Sequence, residues 1–360
     1  MKKIIKYILF VFIFLVILSV VSSILNPAHG YDEWYVSNTV SDFYRQRKNS
    51  IDAIFLGNSC IYSSVSPLEI FNENGIVTFD LSTPGQKVWS SYYLLKEAFK
   101  TQSPKVCFIE CGEFMANKEQ GKLLDKRNVI DSIKLSKNKL DVINDDIYNL
   151  SFIEKLGAIV PAIEYHSRWQ DINERDIRKN ISKEEMTYKG FVIDTQTKAY
   201  TGEDKFSDNI SANENFENKK SSKITENDEE LANGISSNAR KYLNKMRELC
   251  KENNCELVII KIPEPQYWND GLHDRVESYS KIHQLRFLDL NYAEEDLKID
   301  WNTDTTDSGY HLNIKGAKKV SDYLAKFLKD NYNLENHKED SNFSNWNTFY
   351  ESYCNAISCN

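Results

Sequence analysis

From Tyr7 to Leu25 the chain carries no charge and is dense in Ile, Leu, Val and Phe, directly after Lys2, Lys3 and Lys6. A run of that length predicts a helix able to cross the hydrocarbon of a bilayer, and the lysines would hold its start in the cytosol. Residues 1–30 are therefore read as a cytosolic tip and transmembrane anchor, with everything after about Asn26 sent across. A signal peptide is the competing reading, because Ala28-His29-Gly30 loosely matches a small-residue cleavage site. The apolar stretch exceeds the usual signal core, which favours a retained anchor, and on either reading the body is extracytoplasmic.

Beyond a polar, aromatic stretch at residues 31–50, read as a helical stalk, short apolar runs alternate with helical periodicity. Ile51–Leu56, stopped by Gly57, reads as a buried strand. Ile76–Leu81, Lys105–Cys111, Glu256–Ile262 and Arg286–Leu290 repeat the pattern. Helices are expected over Val88–Lys100, Ser237–Glu252 and Ile314–Lys329. Such alternation predicts an α/β fold, a parallel sheet covered by helices on both faces. That body spans 51–330, with an insertion at 113–234 whose first part is helical to about Arg178. Residues 201–233, rich in Asn, Ser, Lys and Glu, read as a flexible excursion. Residues 331–360 form a tail whose Trp346, Phe349, Tyr350 and Tyr353 are suited to pack back on the body.

Charge narrows the partners. Lys and Arg number 45 against 53 Asp and Glu, a net charge of -8, which lacks the basic footprint of a nucleic-acid binder. Seven cysteines suit an exported chain without demanding disulfides. Cys107 and Cys111 lie on one expected strand, roughly 13 Å apart and out of bridging reach, so they read as core. Cys250 with Cys255, and Cys354 with Cys359, have the spacing to close small loops. No histidine stands at finger spacing from these pairs, so no metal or other cofactor is expected.

The chemistry concentrates in two segments. Phe55-Leu56-Gly57-Asn58-Ser59-Cys60 delivers a serine just past a strand, and in an open parallel sheet ligands bind at the carboxyl ends of strands. A serine hydroxyl needs a base. Asp304-Thr305-Thr306-Asp307-Ser308-Gly309-Tyr310-His311, before the last helix, holds an acid and a histidine in one loop, the division of labour of a Ser-His-Asp triad. Taken singly each segment has a bland reading, with Asp307 and Asn313 as loop and capping residues and His311 on the surface. His166 and Arg168 beside Trp169 either line a cleft for a carboxylate or phosphate or decorate a helix. Trp268 is a sugar-stacking platform or core packing, His273 and His283 lie solvated on a helix, and Cys60 is packing.

The order of these segments resembles the SGNH (GDSL-like) hydrolase superfamily, and most nearly its membrane-anchored extracytoplasmic branch, which includes the D-alanyl transfer protein DltD and proteins encoded beside membrane-bound O-acyltransferases. Gly57-Asn58-Ser59 stands where the family has Gly-Asp-Ser, and Leu81-Ser82-Thr83-Pro84-Gly85-Gln86 where it has its second-block glycine. Lys261-Ile262-Pro263-Glu264-Pro265, Trp268, Asp289-Leu290-Asn291 and, more loosely, Tyr165–Trp169 and Lys189-Gly190-Phe191 look like stretches of the branch. The resemblance implies a three-layer, flavodoxin-like sandwich, with Ser59 as nucleophile and Asp307 and His311 as its partners. It further implies an esterase or acyltransferase acting on acetyl or D-alanyl esters of cell-envelope polysaccharide or teichoic acid, beside a membrane-bound O-acyltransferase. Two departures stand out. The third block lacks the family's asparagine, reading Phe108-Ile109-Glu110-Cys111-Gly112-Glu113, so an oxyanion hole would rest on backbone amides near Ser59 and Gly85. Asp307 precedes His311 by four residues where three is commoner, which leaves Asp304 as an alternative acid. These losses leave open a pseudo-hydrolase that binds glycan or an acyltransferase without catalysis.

Overall fold

A computed structural model describes residues 2–26, 39–116, 123–172, 176–177, 188–202 and 223–357. Five strands, β1 (Ala53–Gly57), β2 (Thr78–Ser82), β3 (Val106–Glu110), β4 (Glu256–Lys261) and β5 (Arg286–Asp289), form one sheet in the order β2-β1-β3-β4-β5. Every pairing is parallel. Successive side chains of a strand point to opposite faces. Accordingly Ile54, Leu56, Cys107, Ile109, Leu257 and Ile259 join one apolar cluster, and Ala53, Phe55, Val106, Phe108, Val258 and Ile260 the other. Helices Val88–Ala98, Ser237–Glu252 and Asp270–His283 cover the first face. Helix Ile314–Asn331 covers the second. The sheet is thus buried on both sides, which is why its strands read as continuous apolar runs. The crossover order reverses between β1 and β3, and that switch point is where open α/β sheets receive ligands.

The apolar N-terminal run is a single helix, Lys2–Leu25, long and apolar enough to span a membrane. Of the expected stalk, residues 31–38, like the Ala28-His29-Gly30 segment, lie outside the described residues. The remainder is not a free stalk. Val40 and Phe43 are buried, and Phe43 meets the Phe79 ring edge-on at 5.2 Å, because two apolar side chains one helical turn apart find the edge strand β2. The excursion expected at 201–233 also ends in structure. Thr225 and Asp228 form a reciprocal capping box that starts helix Glu226–Ala232, and Lys281 of the neighbouring helix ion-pairs with Asp228 at 2.8 Å. Residues 203–222 lie outside the described set. In the tail, helix Ser344–Ile357 buries Trp346 against Phe71 at 4.9 Å between ring centres.

Cys107, Cys111, Cys250 and Cys255 are all buried and free of disulfides, and the Cys255 amide closes the turn by donating to Cys250 O at 3.0 Å. Cys354 is also free, and Cys359 lies outside the described residues. His273 is not solvated as its helix position suggested. It is 2% exposed, and its Nδ1 donates to Asp289 at the end of β5 at 2.8 Å.

Asp80, in the middle of β2, is fully buried with neither carboxylate oxygen hydrogen-bonded. Burial pushes its pKa well above the usual carboxylate range. The folded state therefore holds this proton at pH values where the unfolded chain has released it, and stability falls as pH rises from about 4 toward the folded pKa. Asp80→Asn is expected to flatten that slope. Its stability relative to the native chain should rise by about 1 kcal/mol or more between pH 4.5 and pH 8, read by urea unfolding. Parallel pH profiles for the two chains would refute this account.

Candidate active site

Ser59 opens the short helix Ser59–Tyr62 directly after β1. Asn58 caps that helix, its Oδ1 accepting from the Cys60 amide at 3.0 Å, while its Nδ2 donates to Glu113 at 3.2 Å. The cap fixes the turn and aims the serine outward. As the first helical residue, Ser59 offers an amide with no intrahelical acceptor.

The histidine arrives on a loop whose shape follows from its sequence. Thr305 and Leu312 pair in an isolated antiparallel bridge, the Thr305 hydroxyl donates to His311 O at 2.9 Å, and the Gly309 amide donates back to the Thr305 hydroxyl at 2.7 Å. Ser308 (φ 67) and Gly309 (φ 92) take the left-handed conformation, which folds the four-residue Asp307-to-His311 spacing into a tight turn. At Gly309 a Cβ would sit 2.9 Å from Pro265 and 3.1 Å from Tyr200, so the position has no room for one. Residues 194–200, within the insertion, pin the loop. Thr306 donates to Asp194 at 2.8 Å, Lys198 N donates to Thr305 O at 3.0 Å, and Ser308 N donates to Lys198 O at 2.9 Å. Asn313 caps the last helix and reaches Gln196 O at 3.0 Å.

The two segments meet. His311 Nε2 lies 2.7 Å from Ser59 Oγ, and His311 Nδ1 lies 2.6 Å from Asp307 Oδ2. Asp307 Oδ1 also accepts the His311 backbone amide at 2.7 Å. Burial pushes the Asp307 carboxyl up, but the hydrogen bonds from the His311 side chain and backbone outweigh it and hold the pKa below the usual value. Asp307 is thus ionised at neutral pH. A carboxylate cannot donate, so Nδ1 carries the proton and Nε2 is left to accept from the serine hydroxyl.

Asp304, the alternative acid, faces elsewhere. It is 2% exposed and accepts from Asp300 N at 2.8 Å, Thr303 Oγ1 at 2.9 Å and Lys319 Nζ at 2.6 Å, a set that ties the loop to the last helix. Arg168 likewise lies away from Ser59, donating to Leu25 O at 2.6 Å and to both oxygens of Asp176 at 3.1 and 3.0 Å. Its neighbour His166 is exposed. Trp268 is no stacking platform: it is buried, and its indole N–H donates to Asp289 at 2.7 Å. Cys60 is buried and burial pushes its thiol pKa up, which leaves it inert.

Gly85 (φ 61) lies in the turn after β2, where an added Cβ would come within 2.5 Å of the Asp125 carboxyl carbon. Glu110, the last residue of β3, turns into the core. Its Oε1 meets Lys261 Nζ at 3.0 Å and its Oε2 accepts the Gly112 amide at 2.8 Å. Sequence reasoning missed several neighbours of the serine. Lys87 ion-pairs with Glu113 at 2.5 Å, joining the turns after β2 and β3 across Asn58. Tyr62 closes the short helix that Ser59 opens, and burial pushes its hydroxyl pKa up to about 12. Tyr310 meets the His311 ring edge-on at 4.3 Å and Tyr267 at 5.6 Å, and both tyrosines are exposed, making an aromatic rim. Tyr310 and Glu113 lie inside segments the sequence singled out and Lys87 and Tyr267 directly beside others, but nothing in the sequence tied any of them to Ser59. For metal, His273, Asp274 and Glu277 bring ligand atoms within 4.8 Å of one another, a trio on helix Asp270–His283 that includes none of Ser59, Asp307 and His311.

No family model and no curated protein matches this chain.

Proposed function

We propose that the protein is an extracytoplasmic, membrane-anchored esterase or acyltransferase of the SGNH type, with Ser59, His311 and Asp307 as its triad. The 2.7 Å approach of His311 Nε2 to Ser59 Oγ carries this reading, since a base in hydrogen-bond reach of a serine and itself oriented by a carboxylate is the arrangement that activates a hydroxyl. In the first half-reaction His311 takes the hydroxyl proton as Ser59 Oγ bonds to the acyl carbon. The tetrahedral oxyanion sits against the amides of Ser59 and Gly85, and collapse returns the proton to the departing alcohol oxygen. Water or a second hydroxyl then releases the acyl group by the same steps in reverse.

The acyl groups we assign are acetyl or D-alanyl, on polysaccharide or teichoic acid of the cell envelope. Two features support a sugar or polyol as the alcohol: the exposed Tyr267–Tyr310 rim beside His311, suited to stacking, and a membrane-length helix that would hold the body at the envelope. The second reading is a pseudo-hydrolase that lends its fold to a membrane-bound O-acyltransferase. It is favoured by the end of the third strand, which carries no asparagine and whose Glu110 is engaged with Lys261. A missing oxyanion donor slows such reactions on the order of a hundredfold or more. A fluorophosphonate probe separates the two. The full-length chain in detergent is expected to be labelled on Ser59, located by peptide mass, and labelling should vanish in Ser59→Ala. A folded chain that resists the probe would leave only the scaffold.

A further inference from the structure

The end of the membrane-length helix is tied to the insertion. Arg168 Nη1 donates to Leu25 O at 2.6 Å, and the Ala162 amide donates to Ser22 Oγ at 3.4 Å. The uncharged run Tyr7–Leu25 is about 28 Å long at helical rise, close to the roughly 30 Å of a bilayer's hydrocarbon. With its lysines at the inner headgroups, such a helix brings Leu25 to the outer hydrocarbon boundary, and whatever is bonded to its last turn lies at that depth.

The insertion elements at and beside this contact turn apolar side chains outward. Phe152 is 72% exposed, Ile153 60%, Ile163 40% and Trp169 66%. They belong to helix Phe152–Ile159, helix Pro161–Glu164 and the 3-10 turn His166–Gln170, of which the last two touch the membrane-length helix. In water each of these side chains exposes apolar area with no return, and grouped exposure of this kind marks an interaction surface. A tryptophan at a headgroup boundary has its apolar ring and polar N–H each in a matching medium.

We propose that residues 152–169 form a second membrane contact, resting in the outer headgroup layer with Phe152, Ile153, Ile163 and Trp169 among the upper acyl carbons. The assignment rests on the reading that the apolar helix is a retained anchor. It makes the body a docked unit of fixed tilt rather than a tethered one, since one helix and a separate surface patch together define an orientation.

Trp169 reports the contact. The full-length chain is placed in phosphatidylcholine liposomes whose acyl chains are brominated either near the headgroup or near the bilayer centre, and tryptophan emission is compared with that of Trp169→Phe. Shallow bromines are expected to quench the native chain more than deep ones, with most of that quenching lost in Trp169→Phe. Quenching that is absent, or unchanged by the substitution, overturns the docking and leaves the stripe to a protein partner. Alkaline carbonate extraction of the same liposomes keeps the two readings apart. A chain that resists extraction without Trp169 quenching refutes the docked stripe alone, whereas extraction as a peripheral protein refutes the anchor from which the depth was taken.

Discussion

Ser59→Ala is expected to lower the rate of p-nitrophenyl acetate turnover by about 10⁴-fold or more, and His311→Ala by a similar factor, because nucleophile and base act as one unit and either loss removes the unit's contribution. Asp307→Asn should lower the rate by about 10²- to 10⁴-fold while the fold stays intact, since an amide at this position no longer enforces the Nδ1–H tautomer. The smaller end of that range fits a carboxylate whose side chain is 39% exposed. Asp304→Asn is the informative companion. Its partners are Lys319, Thr303 and the Asp300 amide, so the variant should keep its rate and lose stability. Equal turnover by the native chain and Ser59→Ala would remove the catalytic claim, and a rate loss confined to Asp304→Asn would move the acid to that residue.

The second large effect concerns stability. Lys261 is 1% exposed and lies between two carboxylates, Glu110 at 3.0 Å and Glu264 at 3.2 Å. Burial works against its charge, and the two carboxylates outweigh that and hold its pKa above the ordinary lysine value. Lys261→Met would strand Glu110, which is fully buried, and breaking a buried pair from one side costs about 3–5 kcal/mol. That is a large share of the roughly 5–15 kcal/mol that holds a typical domain folded. The double variant Lys261→Met with Glu110→Gln should recover part of the loss, because no uncompensated charge remains between them. Denaturant unfolding of the single and double variants reads the difference. A Lys261→Met midpoint close to the native one would show that the cluster relaxes or admits water.

The strands were legible because a sheet buried on both faces leaves uninterrupted apolar runs, and each was found within two residues of its end. Helix Ser237–Glu252 was legible to the residue, since Ser236 caps it and its apolar positions keep helical spacing. What the sequence hid were contacts made at long range. Thr39–Phe43 read as polar stalk because two apolar side chains give little periodicity, yet those two find the edge of the sheet. His273 looked solvated because nothing near it signals that Asp289, 16 residues downstream, accepts its hydrogen bond, while the core reading of Trp268 holds through the same carboxylate. Ser59 and His311 could be named as candidates from strand order and loop chemistry. The Lys87–Glu113 pair and the pinning role of residues 194–200 were invisible, since each depends on which turns the sheet brings side by side.

The contact between Ser59 and His311 joins positions 252 residues apart. A ribosome therefore releases the hydroxyl long before the imidazole, and any product that stops short of residue 311 carries an unassisted serine. On the proposed triad, a chain that ends or is cut before residue 311 is expected to be inert rather than loose and unselective, because the base is lost with the last segments.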